Sequence, residues 1–279
     1  MTVMLTLDIG GVIVGVVLPD EAWWATLQPR YAPFVTAAAS AWRLTLAHDP
    51  SLTDTGHAWI SHDGAITRFR AAAYAGWIDL AARRAAVSTP TLNRAASALD
   101  RTLAYVCMQV LPREHDALVL HAAGIVLDGG GYLFFGPSGA GKTTVAQLAI
   151  RRGQVLTDES VIVRLGVDGP ELISTPFWGH STPRGLISRV RRQVPLRGLY
   201  ALVQAPVFDL VRLNPAAAAI ALLGTEKVAT ERVPSAAAWL DVAGRLVTRL
   251  PVYQLHFRPT PRLWSFLDQH NKEVLDEPF

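Results

Sequence analysis

Residues 132–150 read Tyr132-Leu-Phe-Phe-Gly136-Pro-Ser-Gly-Ala-Gly141-Lys142-Thr143-Thr144-Val-Ala-Gln-Leu-Ala-Ile150. An apolar run, a loop with glycines at 136, 139 and 141, and a run with helical spacing follow one another. That is the setting which the pattern G-x-x-x-x-G-K-[ST] requires. The glycines let the backbone wind with its N–H groups turned inward as an anion nest, and the helix behind aims its positive end at the same spot. Gly136, Pro137, Ser138, Gly139, Ala140, Gly141, Lys142, Thr143 and Thr144 are therefore the expected nucleotide-binding residues. Lys142 would reach the β- and γ-phosphates, and the Thr143 hydroxyl would ligate Mg²⁺. A chance match is on the order of one in a hundred for a chain of this length, before a strand in front and a helix behind are demanded. Lys142 is also one of only three lysines, with Lys227 and Lys272. A glycine-rich turn that binds nothing is the poorer reading.

In front of the loop lie the apolar stretch Ala117-Leu-Val-Leu-His121-Ala-Ala-Gly-Ile-Val-Leu127 and the turn Asp128-Gly-Gly-Gly. Together with Tyr132–Phe135 they predict a hairpin of two strands. Behind the loop, the helix is expected to stop at Arg151-Arg152-Gly153, with cationic residues and a C′ glycine. Gln154-Val-Leu-Thr-Asp158-Glu159-Ser-Val-Ile-Val-Arg-Leu then reads as strand, acidic tip, strand. A phosphate loop needs an acid for the metal and, for transfer to a hydroxyl, an acid to orient or deprotonate it. Asp158 and Glu159 end the strand immediately after the loop's helix, where a βαβ unit returns them beside the phosphates. The competing reading is an exposed acidic turn. His121 sits mid-strand among apolar residues, a position as suited to a semi-buried structural histidine as to a catalytic one.

The remaining chain supplies context. Residues 1–88 alternate short apolar stretches with turns: strands at Leu5–Ile9 and Val12–Leu18, a helix from an Asp20 cap to Tyr31, a strand at Trp42–Ala47 and a hairpin around His62-Asp63-Gly64. They predict a small, mainly β N-terminal domain ahead of a larger unit over 89–279. Thr89-Pro90 reads as the cap of a helix of about 20 residues, with Leu92, Ala96, Leu99, Leu103, Val106 and Val110 at helical spacing up to Pro112. Residues 175–198 hold three prolines, three glycines and the arginines 184, 189, 191, 192 and 197, and read as a loop or lid. Those arginines could grip a phosphate, an acidic substrate or a protein. Leu199–Val203 and Val252–Phe257 read as strands, Asn214-Pro215 and Pro234-Ser235 as helix starts, and His180 and His256 have weaker claims to a role.

Half of the 279 residues are hydrophobic and 18% are charged, with a net charge of +3 and a single cysteine, Cys107. Such a chain has apolar surface for a sizeable core and no disulfide framework. The small charge and the missing base-reading motif speak against nucleic acid. The opening residues read as a strand, and the longest apolar run, Leu199–Gly224, is broken by Asp209, Arg212, Asn214 and Pro215. The expectation is a cytoplasmic protein with no membrane partner, able to assemble with copies of itself.

The order of motifs from Leu120-His-Ala-Ala-Gly-Ile-Val-Leu-Asp, through Gly136-Pro-Ser-Gly-Ala-Gly-Lys-Thr-Thr, to Arg152-Gly-Gln-Val-Leu-Thr-Asp-Glu resembles the catalytic domain of HPr kinase/phosphorylase. Looser similarity runs through Gln204-Ala-Pro and Val252–Phe257. The resemblance implies a P-loop α/β kinase core with a mixed sheet, on a fold like that of phosphoenolpyruvate carboxykinase. It implies ATP and Mg²⁺ as cofactors and a serine hydroxyl of a protein or peptide as the acceptor. Carried over, Asp158 is the general base, Glu159 a metal-side acid beside Thr143, His121 an active-site partner and Lys142 the γ-phosphate clamp. The family's second acid is Asp where this chain has Glu159. Two alternatives share the site: a nucleotide-binding regulator without phosphotransfer, and a kinase of a small metabolite.

Overall fold

The computed structural model describes residues 1–53, 57–71, 73–178, 190–224 and 236–276, with 271–276 as backbone only. In the first third, burial alternates with period two, the pattern of half-buried strands. The strands are β1 (Val3–Ile9), β2 (Val12–Leu18), β3 (Trp42–His48), β4 (Trp59–Asp63), β5 (Ile66–Ala71), β6 (Tyr74–Asp79) and β7 (Arg84–Thr89). They form one mixed sheet in the order β1-β2-β3-β7-β6-β5-β4, in which β3 runs parallel to both β2 and β7. The hairpin expected at residues 62–64 is β4–β5. Helix α1 (Glu21–Tyr31) starts where expected, because the Asp20 carboxylate accepts from the N–H groups of Ala22 at 2.8 Å and Trp23 at 3.3 Å.

The next helix, α2 (Ala95–Glu114), does not start at Thr89. Thr89 closes β7, paired with His48, and its carbonyl accepts from Asp49 N–H at 3.0 Å. Pro90 also holds the residue before it extended. The chain passes through a 3₁₀ turn, Leu92–Arg94, and enters the helix with no side-chain cap. Burial is nearly continuous from Ala98 to Pro112, because α2 lies between the first sheet and a second one and touches β6, β7 and β8 (Ala117–Leu120). Cys107 is fully buried there, and burial pushes its thiol well above the ordinary range, as suits a packing residue.

The second sheet joins β8 to β9 (Ala122–Leu127), β10 (Gly130–Phe135), β11 (Gln154–Thr157), β12 (Val161–Gly166), β13 (Gly169–Ile173), β14 (Gln193–Gln204), β15 (Asp209–Arg212) and β16 (Val252–Phe257). Its order is β11-β9-β10-β14-β13-β12-β8, with β16 on β14 and β15 on β16. Strand β14 is the hinge of this arrangement: its first residues pair with β13, its last with β16, and β10 runs parallel to it between them. The centre of the second sheet, β8, β9, β10 and residues 198–202 of β14, is buried on both faces, so these strands read as nearly unbroken apolar runs. Leu133, Phe135 and Leu199 join the core with α2, α4 (Pro215–Leu223) and α5 (Ala236–Arg249). On the other face Phe134, Tyr200 and Leu255 meet α3 (Lys142–Ala149) and α6 (Arg262–Asp276). Trp264 ties α6 to α3 by donating from its indole nitrogen to Leu148 O at 2.9 Å. The expected mixed α/β class with a β-rich N-terminal region is what the chain adopts.

Three further expectations need correction. Residues 193–198 are strand, not loop: Val194, Leu196 and Gly198 are buried while Gln193, Pro195 and Arg197 are exposed, an alternation that the proline and glycine obscured. Residues 117–127 are two strands, not one, interrupted at His121. Gly153 is not a left-handed cap; an added Cβ there would stand 2.2 Å from Val126 O, so it lets β11 close onto β9. A Gly153→Ala chain should lose about 2–3 kcal/mol of stability, read by urea unfolding. His180, Arg184, Arg189, Lys227 and Pro234-Ser235 lie outside the described residues.

Candidate functional site

Strands β10, β14 and β16 run parallel, so their C-terminal ends emerge together. Strand β11 points the same way, since both it and β10 are antiparallel to β9. In open α/β sheets this edge is where ligands sit. The loop leaves from the end of β10, Gln204 ends β14, Phe257 ends β16, and Asp158 follows the end of β11.

Each neighbour shapes the loop. Gln204 Nε2 donates to Gly139 O at 2.7 Å. Gly141 has φ 107°, and an added Cβ would lie 2.7 Å from the Phe257 ring, so both the backbone angle and the close approach demand glycine. Pro137, Ser138 and Gly139 are exposed, while Lys142 is buried and its ammonium donates to Gly136 O at 2.7 Å and Pro137 O at 3.2 Å. A buried lysine held on loop carbonyls is a cation kept at the mouth of the loop. Thr143 and Thr144 begin α3, both half-buried.

The Thr143 hydroxyl donates to Asp158 Oδ2 at 2.8 Å, linking the loop to the acid tip across fifteen residues of chain. Asp158 is 5% exposed. The tip is set by Thr157, fully buried, which donates to Phe177 O at 3.1 Å and accepts from Glu159 N–H at 3.0 Å and Ser160 N–H at 3.4 Å. This bend turns neighbouring acids in different directions: Asp158 to the loop, Glu159 to His121, whose Nδ1 lies 3.7 Å from Glu159 Oε1. Thr143 thus meets Asp158, and Glu159 meets His121.

The strand break explains His121. Leu120 pairs with Val161 and Ala122 with Phe135, so one further step in each register sets His121 beside Ser160 and Gly136. It occupies the joint where the chain changes partners, between loop and tip. Of the expected arginines, Arg191 pairs with Asp8 and Arg197 lies across Gly130, at the end of β10 away from the loop. His256 Nε2 lies 3.3 Å from Gln254 Oε1 on β16.

Beyond the tip opens a cavity of about 210 Å³ that the sequence did not announce. His121, Glu159 and Ser160 form one wall; α2 contributes Ser97, Asp100, Arg101, Ala104, Tyr105 and Met108; Tyr74, Val119, Phe177 and Trp178 complete it. The Asp100 carboxylate is held by the Arg30 guanidinium and the Tyr31 hydroxyl. Arg30 in turn lies over the Trp178 ring at 4.9 Å. The two site residues that sequence reasoning passed over with some signal were Gln204 and Phe257, both at strand ends facing the loop; Tyr74, Tyr105 and Trp178 carried none.

The chain is a mixed α/β protein in which the loop, the acid tip and His121 gather at the C-terminal edge of the second sheet. The chain belongs to the family described as SynChlorMet cassette protein ScmC, whose model matches residues 90–272. Among solved structures it is similar to the Hpr(Ser) kinase/phosphatase from Coxiella burnetii, at 14% identity over 57% of this chain and 99% of that one, with a TM-score of 0.33. No curated protein matches. Among the described residues no helix is long and apolar enough to cross a membrane.

Proposed function

We propose that this chain is an ATP-dependent phosphotransferase of HPr-kinase-like type, moving the γ-phosphate of ATP to a hydroxyl group, with the serine of a protein or peptide as the acceptor that the sequence resemblance implies. The observation that carries it is the 2.8 Å bond from the Thr143 hydroxyl to Asp158. It joins the residue expected at the metal to the residue expected at the acceptor. In this reading residues 89–279 form the catalytic unit, residues 1–88 wall its acceptor side, and the reaction belongs to the cytoplasm, where ATP is supplied.

The loop N–H groups and Lys142 hold the β- and γ-phosphates, Lys142 exchanging the carbonyls of Gly136 and Pro137 for phosphate oxygens. The acceptor oxygen attacks phosphorus, the bond to the β-phosphate oxygen breaks, ADP leaves and the hydroxyl proton passes to Asp158. A hydroxyl and a carboxylate in contact, with Glu159 next in the chain, suit Mg²⁺, which binds through one or two carboxylates and keeps waters and phosphate oxygens. When bound, the ion would neutralise charge on the transferring group; Thr143 and the acid tip would hold it. His121 beside Glu159 orients that carboxylate.

A second reading, transfer to a small hydroxyl compound, is favoured by the cavity next to the tip. Incubation of the purified chain with γ-labelled ATP, Mg²⁺ and lysate from its own source tests both. Label should appear on one acceptor, protein or small molecule. Tight nucleotide binding with no labelled acceptor would support a nucleotide-binding regulator instead.

A further inference from the structure

The cavity beside the tip has a chemistry of its own. Tyr74, Tyr105, Phe177 and Trp178 give it aromatic walls, and Met108 adds a polarisable side chain that adapts to a ring. Among the described residues Arg101 is the only lysine or arginine lining it, and its guanidinium lies over the Tyr105 ring at 5.0 Å. A guanidinium with one face on an aromatic ring presents its N–H edge in the same plane, the geometry that receives a carboxylate or phosphate. At the other side stand His121, Glu159 and Ser160, the last two following Asp158 in the chain.

Volume sets the size of the occupant. A cavity of about 150 Å³ takes up one benzene molecule. The roughly 210 Å³ here holds one ring and a short polar arm, and is small for a folded protein segment. Its wall is built beforehand: Asp100 is fixed by Arg30 and Tyr31, and Arg30 braces Trp178. The residues come from β6, α2, β8, the tip and residues 177–178, so the first sheet contributes to the same chamber as the second.

We propose that this cavity is the acceptor site and that it takes a small molecule carrying one flat ring, an anionic group for Arg101, and a hydroxyl directed to the His121–Glu159 side. The proposal takes up the second reading, transfer to a small hydroxyl compound, in place of a protein serine, and rests on the phosphotransferase reading for the transfer step. The hydroxyl oxygen then forms the new bond to the γ-phosphorus of ATP while Asp158 takes the proton and ADP departs.

The test uses the full chain without nucleotide and 4-(hydroxymethyl)benzoate as probe, with binding followed by saturation-transfer NMR. Benzyl alcohol, which lacks the anion, should bind at least about tenfold more weakly, and Arg101→Met should lower the benzoate's affinity by a similar factor. Ala104→Phe, which fills the cavity from α2, should abolish the signal. ATP binding and thermal unfolding are measured on every sample, so a variant that has failed to fold is recognised whether or not the chain binds nucleotide. No saturation transfer to the wild-type chain, or an unchanged signal in Ala104→Phe that still binds ATP, would overturn the acceptor site while leaving the kinase reading standing. Probe binding that responds as expected in a chain that binds no ATP would support the cavity and sink the kinase reading.

Discussion

An Asp158→Asn chain should still bind ATP through the loop, with Mg²⁺ held less firmly, and transfer the γ-phosphate slower by about 10²–10⁴-fold, the loss typical of removing a positioned base. Asparagine keeps the shape and can still accept from the Thr143 hydroxyl, which now donates to Asp158 Oδ2 at 2.8 Å, so loop and tip stay joined. What it loses is the charge and the basicity. Because Asp158 is 5% exposed, water replaces neither. Nucleotide affinity by calorimetry and label transfer by scintillation counting separate the two effects. A chain that transferred at the wild-type rate would remove Asp158 from the role of base.

Lys142→Met should act earlier, at nucleotide binding itself. The ammonium is the only lysine in the loop and it is buried against the carbonyls of Gly136 and Pro137. Methionine fills similar space without charge, so the fold should hold while the phosphates lose their cation. Loss of one such preorganised donor is worth about 10²–10³ in rate, and ATP affinity should fall with it. Thermal unfolding close to wild type, alongside weak ATP binding, is the expected pair of results. Undiminished transfer would show that Lys142 is merely a structural clasp for the loop.

Much of this architecture is legible in the residues. The glycines and Lys142 between an apolar run and a helical one mark the loop, and period-two alternation marks the first sheet. Asp158 is found by counting one strand past the loop's helix. His121 is harder. The run from Ala117 to Leu127 is apolar throughout, and only the change of partner, from Val161 to Phe135, interrupts it. Periodicity cannot see a partner. The start of α2 is hidden in the sequence because Thr89-Pro90 serves equally as the end of a strand and the cap of a helix. The distinction lies in the ladder with His48. The cavity is beyond reach for a different reason: Tyr74, Arg101 and Trp178 belong to no motif, and only the packing of α2 between two sheets brings them to His121 and Glu159.

That packing also bears on residues 1–89. The first sheet and the second contribute to one continuous core around α2, and Tyr74 of β6 reaches the chamber at the acid tip. An N-terminal sheet that walls the chamber is in a position to set what enters it, which a remote attachment would not be.

The central claim is that loop and acid tip form one phosphotransfer centre. The measurement that addresses it most directly is parallel incubation of wild-type and Asp158→Asn chains with γ-labelled and, separately, α-labelled ATP, in Mg²⁺ and lysate from the protein's own source. Label is expected on an acceptor from γ-labelled ATP alone, with the wild-type chain alone. Transfer from α-labelled ATP, or equal transfer by the two chains, would contradict it.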